Sequence, residues 1–351
     1  MLYQTPNPHG GDIFTDNIEF DFSASINPLG TPPKVLEAMK SALERSAVYP
    51  DPYCRRAIHA VSVHEKLPEE FILMGNGAAE LIYAYCSSIS PAKALLFSPT
   101  FSEYETALKN CKSTVIRHEL AAGNGFRPDD SFLTSIQKHH PDAVFLCNPN
   151  NPTGLLIDPG LLERMITLCG KEDIRLFIDE CFLDLSENGE STAGFVRNCP
   201  NLFILKAFTK TYALAGIRIG YGMTSDRELL RKMSDCSQPW NVSVIAQAAA
   251  EAALLEAKYL RKSRELIGRE REWLSGRLKD LHLSPLPSDA NFLLFRGPSD
   301  LAEKLREKGI SVRDCSNFAG LEKGWYRTAV RQHDENEKLI SALTQVLKER
   351  A

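Results

Sequence analysis

The sequence predicts an α/β protein: a mainly parallel sheet covered by helices on both faces, followed by a smaller α+β region. Three observations carry that reading. Between residues 70 and 222, short apolar runs alternate with helical patterns. Strands buried on both faces read as unbroken apolar runs, because neither side meets water. Beyond Asn241 the pattern changes to a long helix-favouring stretch and then to a few short strands. Finally, 351 residues with 43% hydrophobic and 25% charged content can bury a sizeable core.

Along the chain, residues 1–33 are rich in Pro, Gly and Asn and read as an irregular arm. A helix follows from Pro33, since proline fits the first turn, where its missing N–H costs nothing. YPDP at 49–52 interrupts the chain. Predicted strands are FILM (71–74), KALLF (93–97), DAVFLC (142–147), IRLFI (174–178), LFILK (202–206) and IRIGYG (217–222). Residues 242–281 are expected to be a long bridging helix. NFLLFR (291–296), a helix near 300–308, ISVRD (310–314), WYRTAV (325–330) and a helix from about Glu335 complete a small α+β region.

Composition narrows the function. A net charge of -4 speaks against nucleic-acid binding driven by phosphate neutralisation. No run approaches the roughly 20 apolar residues that cross a bilayer. The opening MLYQTPNPHGG lacks the basic and apolar regions of a signal peptide. Nine cysteines are scattered singly, without a CxxC pair, so reduced thiols, a cytoplasmic location and no metal site are expected.

The chemistry-bearing residues fall at predicted strand ends, where open parallel sheets bind ligands. GNGAAE (75–80) feeds a helix start, which can hold a phosphate; any tight strand-to-helix turn also needs glycine. In NPNNPTG (148–154) two prolines fix the backbone while asparagines offer donors and acceptors, although a plain turn has the same composition. Asp179 and Glu180 end an apolar run. A buried carboxylate there either holds a proton on a heterocyclic nitrogen or forms a structural ion pair. Lys210 lies in FTKTYALAGIRIGYG with Arg218, and a desolvated lysine can become an imine-forming nucleophile.

In this order, over nearly the whole chain from His9 to the last helix, these segments resemble fold-type I pyridoxal-phosphate enzymes. The resemblance implies an aminotransferase-like fold whose large domain has a mainly parallel seven-stranded sheet. It implies an arm at 1–33, a large domain at 34–240, and a bridging helix with a small domain at 241–351. It implies pyridoxal 5′-phosphate held covalently by Lys210, with Asp179 on the ring nitrogen, Asn151 on the ring oxygen and Phe101 stacked on the ring. Gly77, Ala78, Thr209 and Arg218 are assigned to the cofactor phosphate. Tyr49 is assigned to the phosphate of the other subunit, which implies a homodimer. Two departures are Phe182, where many relatives have tyrosine, and Ala207, where a hydroxyl residue is common.

Within that group the chain resembles L-threonine-O-3-phosphate decarboxylases and histidinol-phosphate aminotransferases. HGGDIF (9–14), DFSASINPLG (21–30), Phe182, QPWNVSVIAQ (238–247) and Arg331 favour the former. The implied substrate is a phosphorylated amino acid, threonine phosphate or its serine counterpart, and the implied product serves the nucleotide loop of cobalamin. Arg327 is expected at the substrate carboxylate, with Arg331, His9, Gly10, Gly11, Asn27 and Asn151 as further contacts. If Arg327 and Arg331 share a strand, their even spacing puts both guanidinium groups on one face. Alternatively, Arg331 pairs with Asp334 or Glu335. Transamination of histidinol phosphate is the competing reaction, and a non-catalytic ligand sensor the competing class. The first 30 residues could also close over substrate as a lid.

Overall fold

A computed structural model describes residues 8–14 and 16–350; the first seven residues of the expected arm lie outside that range. Seven strands form the large sheet: β1 (Ile72–Gly75), β2 (Lys93–Ser98), β3 (Thr114–Glu119), β4 (Ala143–Cys147), β5 (Arg175–Asp179), β6 (Leu202–Ala207) and β7 (Gly220–Met223). Their spatial order is β1-β7-β6-β5-β4-β2-β3. Only β7 runs antiparallel to its neighbours β1 and β6. The mainly parallel sheet is as expected, with one strand beyond the apolar runs. The mixed sequence TVIRHE of β3 suits a half-exposed edge and gives no apolar run.

Both faces are buried, which is why the central strands are apolar throughout. Leu95, Phe97, Val144, Leu146, Leu176 and Ile178 pack on one side with helices Pro33–Leu43, Arg55–Glu65, Pro159–Lys171 and Val244–Ala253. Ala94, Leu96, Phe145, Phe177 and Phe203 pack on the other with Ala78–Ile89, Ser102–Asn110 and Arg227–Asp235. Helix starts are set locally. Asp158 caps Pro159–Lys171 by accepting from Leu161 N–H at 2.9 Å, and Pro159 occupies the first turn.

The stretch expected as one long helix is two, Val244–Ala253 and Ala257–Asp280. The second packs on the C-terminal region, whose sheet has the order β10-β11-β9-β8: β8 (Ser284–Pro285), β9 (Phe292–Arg296), β10 (Arg313–Asp314) and β11 (Trp325–Ala329). The N-terminal arm joins this region through Phe20–Asp21, which pairs in parallel with Ile310–Ser311.

The two regions are also pinned together near residue 154. Asp289 N–H donates to Gly154 O at 2.7 Å, and Leu156 N–H to Asp289 Oδ2 at 3.1 Å. Gly154 has φ +76°, and a Cβ there would collide with the Ser288 side chain. The loop that follows β4 is therefore clasped directly by the segment before β9.

Candidate active site

At the carboxyl ends of the parallel strands lies a cavity of about 230 Å³. Asp179, the last residue of β5, is 5% exposed on its wall. Its Oδ2 accepts from Tyr104 Oη at 2.6 Å and its Oδ1 from Cys181 N–H at 2.8 Å. Burial raises its pKa, while these donors and the Lys210 charge pull it down. The result is a desolvated carboxylate of fixed orientation, suited to a protonated ring nitrogen.

Lys210 sits in the single turn Phe208–Thr211 that follows β6. Burial, and then the positive charges of Arg327 and Arg218, bring its amine down to about 8; Cys181 and Asp179 act in the opposite sense. A larger fraction of free amine thus exists near neutral pH than for an exposed lysine.

The amino end of helix Ala78–Ile89 opens into the same cavity. Gly77 precedes it with φ +79°, and a Cβ there would lie 2.5 Å from Arg218 Nη2. Only glycine lets the guanidinium come so close to the helix start. Thr209 stands on the same wall. Helix N–H groups, a guanidinium and a hydroxyl residue make a cradle for a phosphate. Phe101 is half-buried beside it, edge-on to Tyr104 with ring centroids 5.5 Å apart.

The opposite wall is cationic. Arg327 on β11 donates from Nη1 to Asn151 Oδ1 at 2.5 Å and from Nη2 to Ser23 O at 2.9 Å. Its Nε, fully buried, has no hydrogen-bond partner among the described residues. Directly across the ladder, β10 places Arg313 in register with Arg327. Arg313 donates to Asn317 Oδ1 at 2.7 Å and to Pro8 O, and its guanidinium lies 5.2 Å from the Phe318 ring centroid. Burial lowers the pKa of both, that of Arg327 to about 10, so both stay cationic at neutral pH. Neither has a carboxylate within 4.0 Å among the described residues. His9 and Gly10 complete this side; His9 Nε2 lies 2.9 Å from Glu103 Oε1.

Three residues expected at the site are placed elsewhere. Arg331 lies beyond the end of β11, so the shared-strand argument fails; it forms an ion pair with Glu335 and approaches Asp21 O at 3.5 Å. Asn27 is buried, its amide nitrogen donating to Thr211 O at 2.8 Å and Ser263 Oγ at 2.7 Å. It braces the Lys210 turn from behind, and its backbone N–H bonds Lys210 O at 3.1 Å. Gly11 N–H donates to Ser23 Oγ at 2.8 Å and so folds the arm back on itself. Tyr49, assigned to the phosphate of the other subunit, is 75% exposed, its ring tilted by 32° against that of Trp240 with centroids 4.7 Å apart. Conversely, Arg313 and Tyr104 belong to the site without any local signal in the sequence. ISVRD was a predicted strand, but nothing local gave its register against WYRTAV.

Among the described residues no helix is long and apolar enough to cross a membrane, and no group of three or more His, Cys, Asp or Glu is placed to hold a metal ion.

Residues 17–343 match the family model for aminotransferase class I and II. The chain belongs to this family. Among curated proteins, this aminotransferase-family chain is 33% identical to a threonine-phosphate decarboxylase of Salmonella typhimurium, covering 97% of this chain and 96% of that protein. It is 32% identical to a histidinol-phosphate aminotransferase of a Geobacillus species, covering 93% and 90%. Among solved structures it superposes on the histidinol-phosphate aminotransferase of Clostridium acetobutylicum with a TM-score of 0.87 and 31% identity, covering 94% of this chain and 99% of that one. The fold is the fold-type I aminotransferase fold, and the protein is a pyridoxal-phosphate-dependent enzyme. The cavity fits that cofactor on its own geometry: a low-pKa lysine, a held carboxylate and a phosphate cradle all face one space.

Proposed function

We propose that this enzyme decarboxylates L-threonine O-3-phosphate to (R)-1-amino-2-propanol O-phosphate. The observation that carries the reading is the Arg313–Arg327 pair, two buried cations in register with no acid partner within 4.0 Å among the described residues. Two neighbouring buried guanidinium groups repel each other and are costly to desolvate. A substrate with both a carboxylate and a phosphate relieves that cost.

Lys210, Asp179, Asn151, Phe101, Thr209, Arg218 and the Gly77–Ala78 turn hold the cofactor. Pyridoxal phosphate, when bound, supplies an electron sink for the pair released at the substrate Cα. Arg327 receives the substrate carboxylate, using the buried Nε that has no other partner. Arg313, His9 and the Gly10 backbone receive the phosphate. Anchoring the remote phosphate fixes rotation about Cα, so binding energy selects which bond lies in line for cleavage. The carboxylate carbon leaves as carbon dioxide, and the Lys210 ammonium returns a proton to Cα. Serine phosphate lacks one methyl group, worth only about 1–3 kcal/mol, and is a second substrate. Tyr49, exposed on its own subunit, reaches the cofactor phosphate of a partner in a homodimer.

The test is to incubate the cofactor-loaded enzyme with L-threonine phosphate and follow carbon dioxide and amine. Equal release of both, lost in Lys210→Ala, supports the reading. No release, with glutamate formed from histidinol phosphate and 2-oxoglutarate, assigns the enzyme to transamination instead.

A further inference from the structure

Behind the Lys210 turn lies a buried charge cluster for which the chemistry above has no use. Lys206, on β6, is 4% exposed. Its Nζ lies 3.0 Å from Asp184, 3.4 Å from Glu65 and 3.8 Å from Glu180. Each acid is tied to something else. Glu180 accepts from Ser191 Oγ at 2.6 Å, Thr192 N–H at 2.7 Å and Thr192 Oγ1 at 2.6 Å. Glu65 accepts from Tyr221 Oη on β7 at 2.6 Å. Asp184 Oδ2 faces Thr211 Oγ1 at 3.5 Å, and its backbone oxygen accepts from Arg264 Nε at 2.7 Å. His64 and Tyr212 are the other titratable groups facing the cluster.

Burying one ammonium among three carboxylates is an expensive way to fill space; apolar side chains of similar volume would stabilise the fold as well or better. The connections show what the arrangement accomplishes. Glu180 is the residue after Asp179, and Thr211 is the residue after Lys210. One cation therefore joins, through Glu180 and through Asp184, the two short segments that present the carboxylate and the amine to the cavity.

We propose that Lys206 is a positioning residue for the cofactor site, holding the Lys210 turn and the Asp179 strand end at a fixed separation from the far side of the sheet. The proposal rests on the assignment of Lys210 and Asp179 to the cofactor, and not on which phosphorylated amino acid is turned over. Misplacement of a reacting group by about 1 Å costs on the order of a hundredfold in rate.

The experiment compares the parent with Lys206→Met, Lys206→Arg and Thr211→Val. Thr211→Val removes only the hydroxyl facing Asp184 and leaves the charge cluster whole. Cofactor is stripped from each protein and added back. Its covalent capture by Lys210 is timed by borohydride trapping and mass measurement. The pH midpoint of the bound cofactor's absorbance and the melting temperature are recorded alongside. Lys206→Met is expected to slow capture by about tenfold to a hundredfold and to move the midpoint by about half a pH unit or more. Thr211→Val is expected to move both in the same direction by less, and Lys206→Arg to restore them. Variants that melt earlier but keep the parent midpoint, and capture within about twofold of it, overturn the proposal, because that is the signature of packing alone. If Lys206→Met cannot be isolated folded, Thr211→Val decides by the same two readouts. A failure of threonine phosphate decarboxylation leaves both unaffected, so the two readings fail separately.

Discussion

Replacing Arg313 by glutamine should harm catalysis far more than replacing Arg331, although the latter stands nearer to Arg327 in the chain. Arg313→Gln keeps a donor for Asn317 Oδ1 and removes the charge that β10 places opposite Arg327. A charge-assisted hydrogen bond contributes about 1.5–3 kcal/mol, and each 1.4 kcal/mol is a factor of ten. Relief of the repulsion between the two guanidinium groups offsets a small part. The expected loss in kcat/KM for threonine phosphate is therefore about tenfold to a hundredfold. Arg331 is paired with Glu335, a partly exposed contact worth at most about 1 kcal/mol of stability, so Arg331→Gln should change kcat/KM by less than about threefold. The assay is initial carbon dioxide release against threonine phosphate concentration, with unphosphorylated threonine in parallel. The preference for the phosphorylated substrate should narrow in Arg313→Gln alone. An Arg313→Gln enzyme within about threefold of the parent, or an Arg331→Gln enzyme equally impaired, would refute the placement of the phosphate.

Further outcomes follow from the same geometry. Free amine at Lys210 appears as pH rises through about 8, so covalent capture of added cofactor by the stripped enzyme should accelerate up to that pH and then level off; acceleration continuing to about 10.5 would contradict the depressed pKa. Asp179→Asn keeps the contact with Tyr104 but loses the charge facing the ring nitrogen, and single-turnover decarboxylation should fall by about a hundredfold or more. Gly77→Ala puts a methyl group 2.5 Å from Arg218 Nη2 at φ +79°; equilibrium dialysis should show cofactor affinity weakened by about tenfold, with about 1–3 kcal/mol of backbone strain. Co-expressing Tyr49→Ala with Lys210→Ala should restore activity in mixed dimers, since one site then draws both intact residues. Mixed dimers as inactive as either parent would remove Tyr49 from the partner's site.

What could be read in the chain was local. A strand buried on both faces writes itself as a short apolar run, and β2, β4, β5 and β6 are visible for that reason. The residues at or just past those ends, Asn151, Asp179 and Lys210, could be picked out because the parallel topology brings all such ends to one edge. The cationic wall was not legible, because it depends on pairing register. Arg313 and Arg327 are fourteen positions apart and meet only because β10 and β11 pair with no slip. Counting by twos from Arg327 to Arg331 assumed a strand that ends at Ala329. Tyr104 reaches Asp179 from a helix seventy-five residues away, a contact with no local signature. Asn27, an amide near the arm's turn, looked free to meet a ligand and is instead absorbed by the main chain around Thr211.

The clasp at Gly154 has a mechanical consequence. Asp289 and Ser288 grip the loop that carries Asn151 from the C-terminal side, while Asn148 and Asn150 tie the same loop to Asp179, Pro99 and Thr100 at the ends of the large sheet, so the loop is a strap between the two regions. Arg327 belongs to the C-terminal sheet and is bonded to Asn151 directly. Any displacement of the C-terminal region would thus be felt at Asn151 through two contacts at once, coupling the grip on the substrate to the touch on the ring oxygen.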